Sequence, residues 1–311
     1  MNERIRGGAI GARTTGVRRI GRHDDEFPAQ LRAIPDAPAL LYVRGVLARE
    51  DALAVAVVGS RRATGYGEGV AEELGAQLAA RGVTVVSGLA RGIDSAAHRG
   101  ALRGGGRTIA VLGSGVDVIY PPENRRLAGL IEGSGAVVSP FLPGTPPLPQ
   151  HFPQRNRVIA GLALAVVVVE AAERSGALIT ARLAAELGRE VMAVPGRVTS
   201  PASRGAHALI RDGAALVESW EDVVAGLPVP WRDCVGGVGP ETRRTVEADG
   251  RQYGGDEDVV LGVVGAEPTT MDEIIASSGV PSARAAALLL MLELDGRIRQ
   301  MEGKRFVRVG A

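Results

Sequence analysis

Three times between residues 54 and 115 a short apolar segment runs into a polar loop containing glycine. Val55 to Val58 leads into Gly59-Ser60-Arg61, and Val83 to Val86 into Ser87-Gly88-Leu89-Ala90-Arg91-Gly92-Ile93-Asp94. Thr108 to Leu112 leads into Gly113-Ser114-Gly115. In a parallel sheet, loops that follow strand ends gather along one edge, so these three would present backbone N–H groups, hydroxyls and guanidinium groups along one crevice. Glycine lets a backbone approach a ligand closely, and helix N-termini add partial positive charge. The guests that suit such a crevice are phosphates, of a nucleotide or of a nucleic-acid backbone.

Further β-branched runs at Ala136–Val138, Ala165–Val169, Glu190–Val194 and Ala214–Val217 alternate with helical stretches at 67–80, 94–102, 122–131, 175–187 and 207–211. Continuous apolar strands separated by helices predict an α/β fold with a doubly wound parallel sheet covered on both faces. Ahead of it, residues 1–20 hold glycine and arginine with little to form a core, and are expected to be a disordered tail, either a solvated extension or an auxiliary phosphate-binding arm. Phe27 to Val46 is expected to add a short helix and an extended piece lying against the sheet, so the main domain spans 21–227. Residues 228–256 turn to glycine, proline and charge, the profile of a linker.

The remainder, 257–311, has a different cadence. A helix around Val259–Val264, a capping signal at Thr270-Met271-Asp272-Glu273, a helix from Ser282 to Leu294 and a hairpin of Arg297–Met301 with Arg305–Val309 predict a winged-helix module. Its second long helix reads Ala285-Ala286-Ala287-Leu288-Leu289-Leu290-Met291-Leu292 with Arg284 as its one basic residue. That is poor equipment for reading base edges, and favours a protein-contact or structural role.

The net charge of +1 excludes a globally basic nucleic-acid binder, so any polyanion site rests on locally placed arginine. A single cysteine, Cys234, forms no internal disulfide, and no leader is legible, which together predict a cytoplasmic protein. Val158–Val169 is too short to span a bilayer and reads as a helix end followed by a buried strand.

Arg61, beside a glycine-serine turn, can fork onto a phosphate. Arg155-Asn156-Arg157 precedes an apolar helix expected to start near Val158, with Asn156 as a cap; Arg157 either joins the phosphate site or pairs with Glu170 or Asp94. Arg91 either contacts the ligand or staples its loop to Glu170. Asp94 and His98, at i and i+4, have the spacing of an acid–base pair, but an N-cap aspartate and a buried hydrogen-bonding histidine explain them better, since no nucleophile or metal cluster accompanies them. Glu170 followed by Ser175-Gly176 suits either a ligand group or a structural cap. Phe141 and Phe152 either stack on bases or pack internally.

The first two loops, with Tyr66-Gly67 and Ser95-Ala96-Ala97-His98, resemble the DNA-processing protein A family, known as DprA or Smf. Val111 to Asp117 with Tyr120-Pro121-Pro122-Glu123-Asn124, Pro143-Gly144-Thr145-Pro146, Phe152 to Leu162 and Val169 to Thr180 continue the likeness in family order, over about Phe27 to Val217. The resemblance implies an extended Rossmann-like domain, often followed by a winged helix, that binds single-stranded DNA, dimerises and helps load RecA recombinase during natural transformation. It implies no catalytic reaction, metal or cofactor. The chain departs from the family pattern at Pro140 and His207, and no N-terminal helical domain is legible before Phe27. The predicted nucleic-acid-binding set is Gly59, Ser60, Arg61, Ser87, Gly88, Arg91, Gly113, Ser114, Arg155, Asn156 and Arg157. The alternative, a Rossmann-like nucleoside-monophosphate phosphoribohydrolase, expects a Pro-Gly-Gly-x-Gly-Thr loop followed by glutamate, where this chain has Pro143-Gly144-Thr145-Pro146-Pro147. No Gly-x-Gly-x-x-Gly dinucleotide fingerprint is present either.

Overall fold

A computed structural model describes residues 16–235, 259–265, 268–280, 285, 288, 289, 292, 297–301 and 305–308. The chain divides into two compact units with the boundary between Gly239 and Pro240.

The first unit is built on nine strands: β1 (Arg18–Gly21), β2 (Leu40–Gly45), β3 (Ala54–Val58), β4 (Thr84–Ser87), β5 (Thr108–Val111), β6 (Ala136–Ser139), β7 (Ala165–Val168), β8 (Glu190–Ala193) and β9 (Ala215–Leu216). They lie in the order β1-β2-β6-β5-β4-β3-β7-β8-β9. From β6 across to β9 every pairing is parallel, whereas β1–β2 and β2–β6 are antiparallel. The sheet is therefore doubly wound, as expected, but carries an antiparallel edge. The strand order reverses between β3 and β7, and the crevice outside their carboxyl ends is where open α/β sheets bind ligands.

Alternation along the strands sets the two faces. Ala54, Ala56 and Val58 of β3, with Val166 and Val168 of β7, point into a core closed by α1 (Ala29–Arg32), α5 (His151–Leu162) and α6 (Gly176–Glu186). Val55 and Val57, with Ala165 and Val167, point the other way, under α2 (Gly65–Ala80), α3 (Ile93–Arg103) and α8 (Trp220–Ala225). Strands buried on both faces have no polar side to show, which is why their sequences read as unbroken apolar runs. The α2–α3 contact is backbone to backbone: a Cβ at Gly100 would fall on the Glu72 carbonyl.

Several boundaries differ from expectation. Residues 18–20, assigned to a disordered tail, are part of β1, where Ile20 is 3% exposed and pairs with Leu41; burial of Ile20 gives this edge strand its purchase. The extended pre-sheet piece is β2, a member of the sheet. The stretch 122–131 is a 3₁₀ turn, Pro122–Asn124, followed by α4 (Arg125–Ser134). α7 (Arg204–Arg211) starts three residues before His207, and His207 Nε2 lies 3.2 Å from the Gly196 nitrogen, so this departure from the family pattern makes a local backbone contact. The start of the expected linker is folded: α9 (Val229–Arg232) places Trp231 against the α2–α8 core. Residues 1–15, and with them the question of a phosphate-binding arm, lie outside the described residues.

The second unit holds a helix over Met271–Ser278 and a three-stranded sheet in which Thr269–Thr270 and Ile298–Met301 flank Arg305–Arg308. The capping box is formed as its sequence predicts: Glu273 N donates to Thr270 Oγ1 at 3.3 Å, and Thr270 N donates to Glu273 Oε2 at 2.8 Å. Ala285, Leu289 and Leu292, spaced i, i+4, i+7, are buried against Val260, Ile274 and Phe306. The described helix, the buried positions at i, i+4 and i+7, and the antiparallel pair Ile298–Met301 with Arg305–Arg308 agree with the winged-helix module read from the sequence. Arg284 lies outside the described residues. Among the described residues no helix is long and apolar enough to cross a membrane.

Candidate nucleic-acid interface

The loop after β3 is braced from below. Glu170, 3% exposed, accepts hydrogen bonds from Thr64 N at 2.9 Å and from Thr64 Oγ1 at 2.7 Å, and Thr64 in turn caps α2 by accepting from Gly67 N at 3.2 Å. Glu170 is thus the structural alternative of the two its position allowed. Ser60 Oγ accepts from Arg62 N at 3.0 Å, a tight turn that leaves Arg61 and Arg62 exposed at the strand end. The Arg61 guanidinium lies over the Phe152 ring, 4.9 Å from its centroid.

The second loop carries backbone strain. Leu89 sits at φ 58° with its side chain fully buried, and Gly92 at φ 69° turns the chain into α3. Asn124 Nδ2 holds the strained residue by donating to Leu89 O at 2.8 Å and to Ser95 Oγ at 2.9 Å. Asp94 does not cap α3, whose cap is Gly92. Its Oδ2 accepts instead from Gly88 N at 3.2 Å and Ala90 N at 3.4 Å, so it folds the loop over itself. Arg91 pairs with Glu123 rather than Glu170, because its loop faces the Pro122–Asn124 turn.

α5 begins at His151, not near Val158: Pro153 falls in its first turn, where a missing N–H costs nothing. Asn156 is consequently inside the helix and is no cap. Helical periodicity puts Phe152, Arg155, Asn156 and Ile159 on the cleft face and turns Arg157 away from it, to a salt bridge with Asp36 at 2.8 Å. Neither expected partner, Glu170 or Asp94, is used, and Arg157 leaves the predicted binding set. Arg155 is 4% exposed and donates from Nη1 to Val111 O at 3.2 Å, while its Nε has no protein partner. Burial draws its pKa down to about 10 against the opposing pull of Asp94, so it remains a cation at neutral pH; burial likewise raises Asp94, opposed by Arg155.

Two hydroxyls in the predicted set are spent inside the fold. Ser87, fully buried, donates to Val57 O at 2.7 Å and lines neither cleft chamber, and Ser114 donates to Val118 O at 2.6 Å while its loop lines the cleft. Ser87, expected in the loop, is the last residue of β4, where side chains still alternate in direction, and it points into the sheet. His98 is equally internal. Its Nδ1 lies 2.7 Å from Thr108 Oγ1, whose own proton goes to Val85 O at 2.7 Å, so Nδ1 carries the hydrogen. Burial holds its pKa down to about 3. His98 and Asp94 therefore do not form an acid–base pair.

The three loops border two neighbouring chambers at the strand ends. The smaller, about 260 Å³, is lined by Gly88, Gly113, Ser114, Arg91 and the Tyr120 and Phe152 rings, whose centroids are 6.2 Å apart. The larger, about 700 Å³, lies at the switch point and is lined by Gly59, Ser60, Asn156 and the first turn of α6. Arg61, Arg62, Phe152 and Arg155 face both. Phe152 is thus a wall of the cleft, whereas Phe141 stacks on His151 at 4.3 Å. Arg62 and Arg174, which also line the cleft, were not singled out from sequence; the only signal was a second arginine after Arg61 and an arginine just before Ser175-Gly176. Among the described residues no cluster of histidine, cysteine and carboxylate could hold a metal ion.

Comparison with known proteins places this arrangement. Residues 18–228 match the family described as DNA recombination-mediator protein A, and residues 247–304 match the DprA winged helix domain. Protein Smf of Escherichia coli K12 is 44% identical over 284 residues, 90% of this chain and 75% of that protein. DNA processing protein DprA of Streptococcus pneumoniae is 48% identical over 202 residues, 65% of this chain and 71% of its own. The X-ray structure of the Streptococcus pneumoniae protein superposes with TM-score 0.65 at 46% identity, covering 69% of this chain and 75% of that one. A structure of DNA processing protein A from Helicobacter pylori, described for its single-stranded DNA binding mode, gives TM-score 0.59 at 28% identity, covering 66% and 96%.

Proposed function

The chain belongs to the DNA recombination-mediator protein A family of DNA-processing proteins, and on that premise we propose that it binds single-stranded DNA in the two-chambered cleft. In this reading it protects incoming single strands in the cytoplasm, acts as a homodimer and helps load RecA recombinase during natural transformation, as the family resemblance implies. The observation that carries the reading is the convergence of Arg61, Arg62, Arg91 and Arg155 with the loops at Gly59, Gly88 and Gly113 on a cleft that opens between strand ends. Phosphate contacts from arginine and backbone N–H give affinity without sequence information. A flexible single strand can bend into chambers of this size, and a stiff duplex cannot. Phe152 and Tyr120 offer rings on which a base can stack, worth about 1–3 kcal/mol per base.

The phosphoribohydrolase alternative gains no support from the cleft, since Glu170 and Asp94 are both held by backbone N–H groups and Pro146-Pro147 stand where its catalytic helix would begin. The test is a fluorescence-anisotropy titration of labelled oligo-dT and a matched duplex over a range of salt. Tight, salt-sensitive binding of the single strand, weakened about tenfold in Arg61→Ala with the salt slope flattened by about 0.7, is the expected result. No binding of oligo-dT by folded protein at low salt would sink the reading.

A further inference from the structure

The larger chamber has a feature that the smaller one lacks. One wall is the first turn of α6, an eleven-residue helix whose cap, Ser175, accepts from Ala177 N at 3.3 Å. The Gly176 N–H has no such side-chain cap and lines the chamber. One turn further along the same face, Thr180 also lines it, 2% exposed, with a hydroxyl that makes no hydrogen bond to the protein. Helical threonines ordinarily return that proton to the carbonyl four residues back. The Thr180 oxygen is not among the sealed, unpartnered side-chain atoms of the fold, so it opens onto the chamber, where a ligand can take the place of water.

The charges around the chamber agree. Arg62 and Arg174, both exposed, line it and pair with no carboxylate among the described residues. The acidic groups near it are engaged: Asp94 by the Gly88 and Ala90 N–H groups, Glu170 by Thr64, and Glu173 by Arg204 at 3.7 Å. An anion at the α6 N-terminus thus meets two unpaired guanidinium groups, a free hydroxyl and the positive end of a helix. Ile159 and Pro153 supply an apolar side for a sugar.

We propose that this chamber is a second phosphate subsite, in which Arg62, Arg174, Gly176 N–H and Thr180 Oγ1 hold a further phosphodiester of the strand bound at Arg61. The strand then crosses Phe152 from one chamber into the other. This rests on the cleft being a single-strand site. The chamber volume, about 700 Å³, is within the ordinary range for a ligand site.

The experiment is an anisotropy titration of 5′-hydroxyl oligo-dT at several salt concentrations with wild type, Arg61→Ala, Arg174→Ala, Arg174→Glu and Thr180→Val, each checked for a native melting curve. Arg174→Ala is expected to weaken binding about fivefold to tenfold and flatten the salt slope by about 0.7. Thr180→Val is expected to weaken it about fivefold at unchanged slope, because a neutral donor is lost. If Thr180→Val melts abnormally, the exposed Arg174→Glu carries the test. Wild-type binding by the Arg174 variants, with Arg61→Ala weakened, would overturn the second subsite and leave the cleft standing. Wild-type binding by all variants would overturn the cleft itself. A 5′-phosphorylated oligomer is expected to bind no differently; sensitivity to Arg174 only when that phosphate is present would make the chamber a strand-end site and overturn the proposal.

Discussion

Gly88→Ala is the most demanding perturbation of the cleft floor. Gly88 is not in the left-handed backbone region, so the substitution is a question of space alone. A Cβ there falls on Arg155 Nη1, with Arg155 Cζ at 2.5 Å and Asp94 Oδ2 at 2.7 Å. The guanidinium must leave its seat, giving up the 3.2 Å bond to Val111 O and part of its attraction to Asp94. Overpacking costs about 1–3 kcal/mol, and leaving a buried guanidinium without its carbonyl partner about 1–3 more. Because the chambers on its open side give Arg155 somewhere to go, the lower half of that range applies, about 3 kcal/mol. At roughly 2–4 °C per kcal/mol for a unit of this size, the melting temperature should fall by about 6–12 °C. Circular-dichroism melts and urea titrations read this directly. A double variant with Arg155→Ala should cost clearly less than the two single changes summed, since the clash then has no partner. A loss below about 1 kcal/mol in Gly88→Ala, or strict additivity in the double variant, would refute the seat described for Arg155.

Two further outcomes follow from side chains that face away from the cleft. Arg157→Ala should leave oligo-dT affinity and salt slope unchanged, because its guanidinium is held by Asp36 behind α5; a slope flattened by about 0.7 would return it to the binding set. His98 is neutral in the fold, with its pKa near 3, so stability is complete above the unfolded value of about 6.5 and is lost as pH falls below it. At pH 5 the loss from this residue should be about 2 kcal/mol relative to pH 7.5, and His98→Gln should remove that part of the decrement. Equal decrements in the two proteins, measured as urea midpoints, would contradict the assignment.

The sheet was legible because its strands are buried on both faces: Ala54 to Val58 reads as a run of apolar residues whichever face each serves. The Thr270–Glu273 box was legible because both partners lie within one turn. What escaped was direction. The start of α5 was read from its apolar run near Val158, seven residues late, and without the right helix Arg155 and Arg157, two residues apart, gave no hint that they point to opposite faces. Ser87 ends β4 and Arg61 follows β3, yet the one hydroxyl closes onto Val57 while the other side chain reaches the cleft. The partners of Glu170 and Arg157 lie more than a hundred residues away in the chain, and no local pattern announces them. Ile20 joined the fold for a similar reason, its partner strand being supplied from Leu40–Gly45.

The decisive point is where a single strand lies. Photocrosslinking of an oligo-dT carrying 5-iododeoxyuridine, followed by peptide mapping, asks this with the whole chain in solution. Crosslinks on the peptides bearing Tyr120 and Phe152, the aromatic walls shared by the cleft, are the predicted result. Crosslinks confined to the winged-helix unit beyond Pro240, with none at the strand ends, would contradict it.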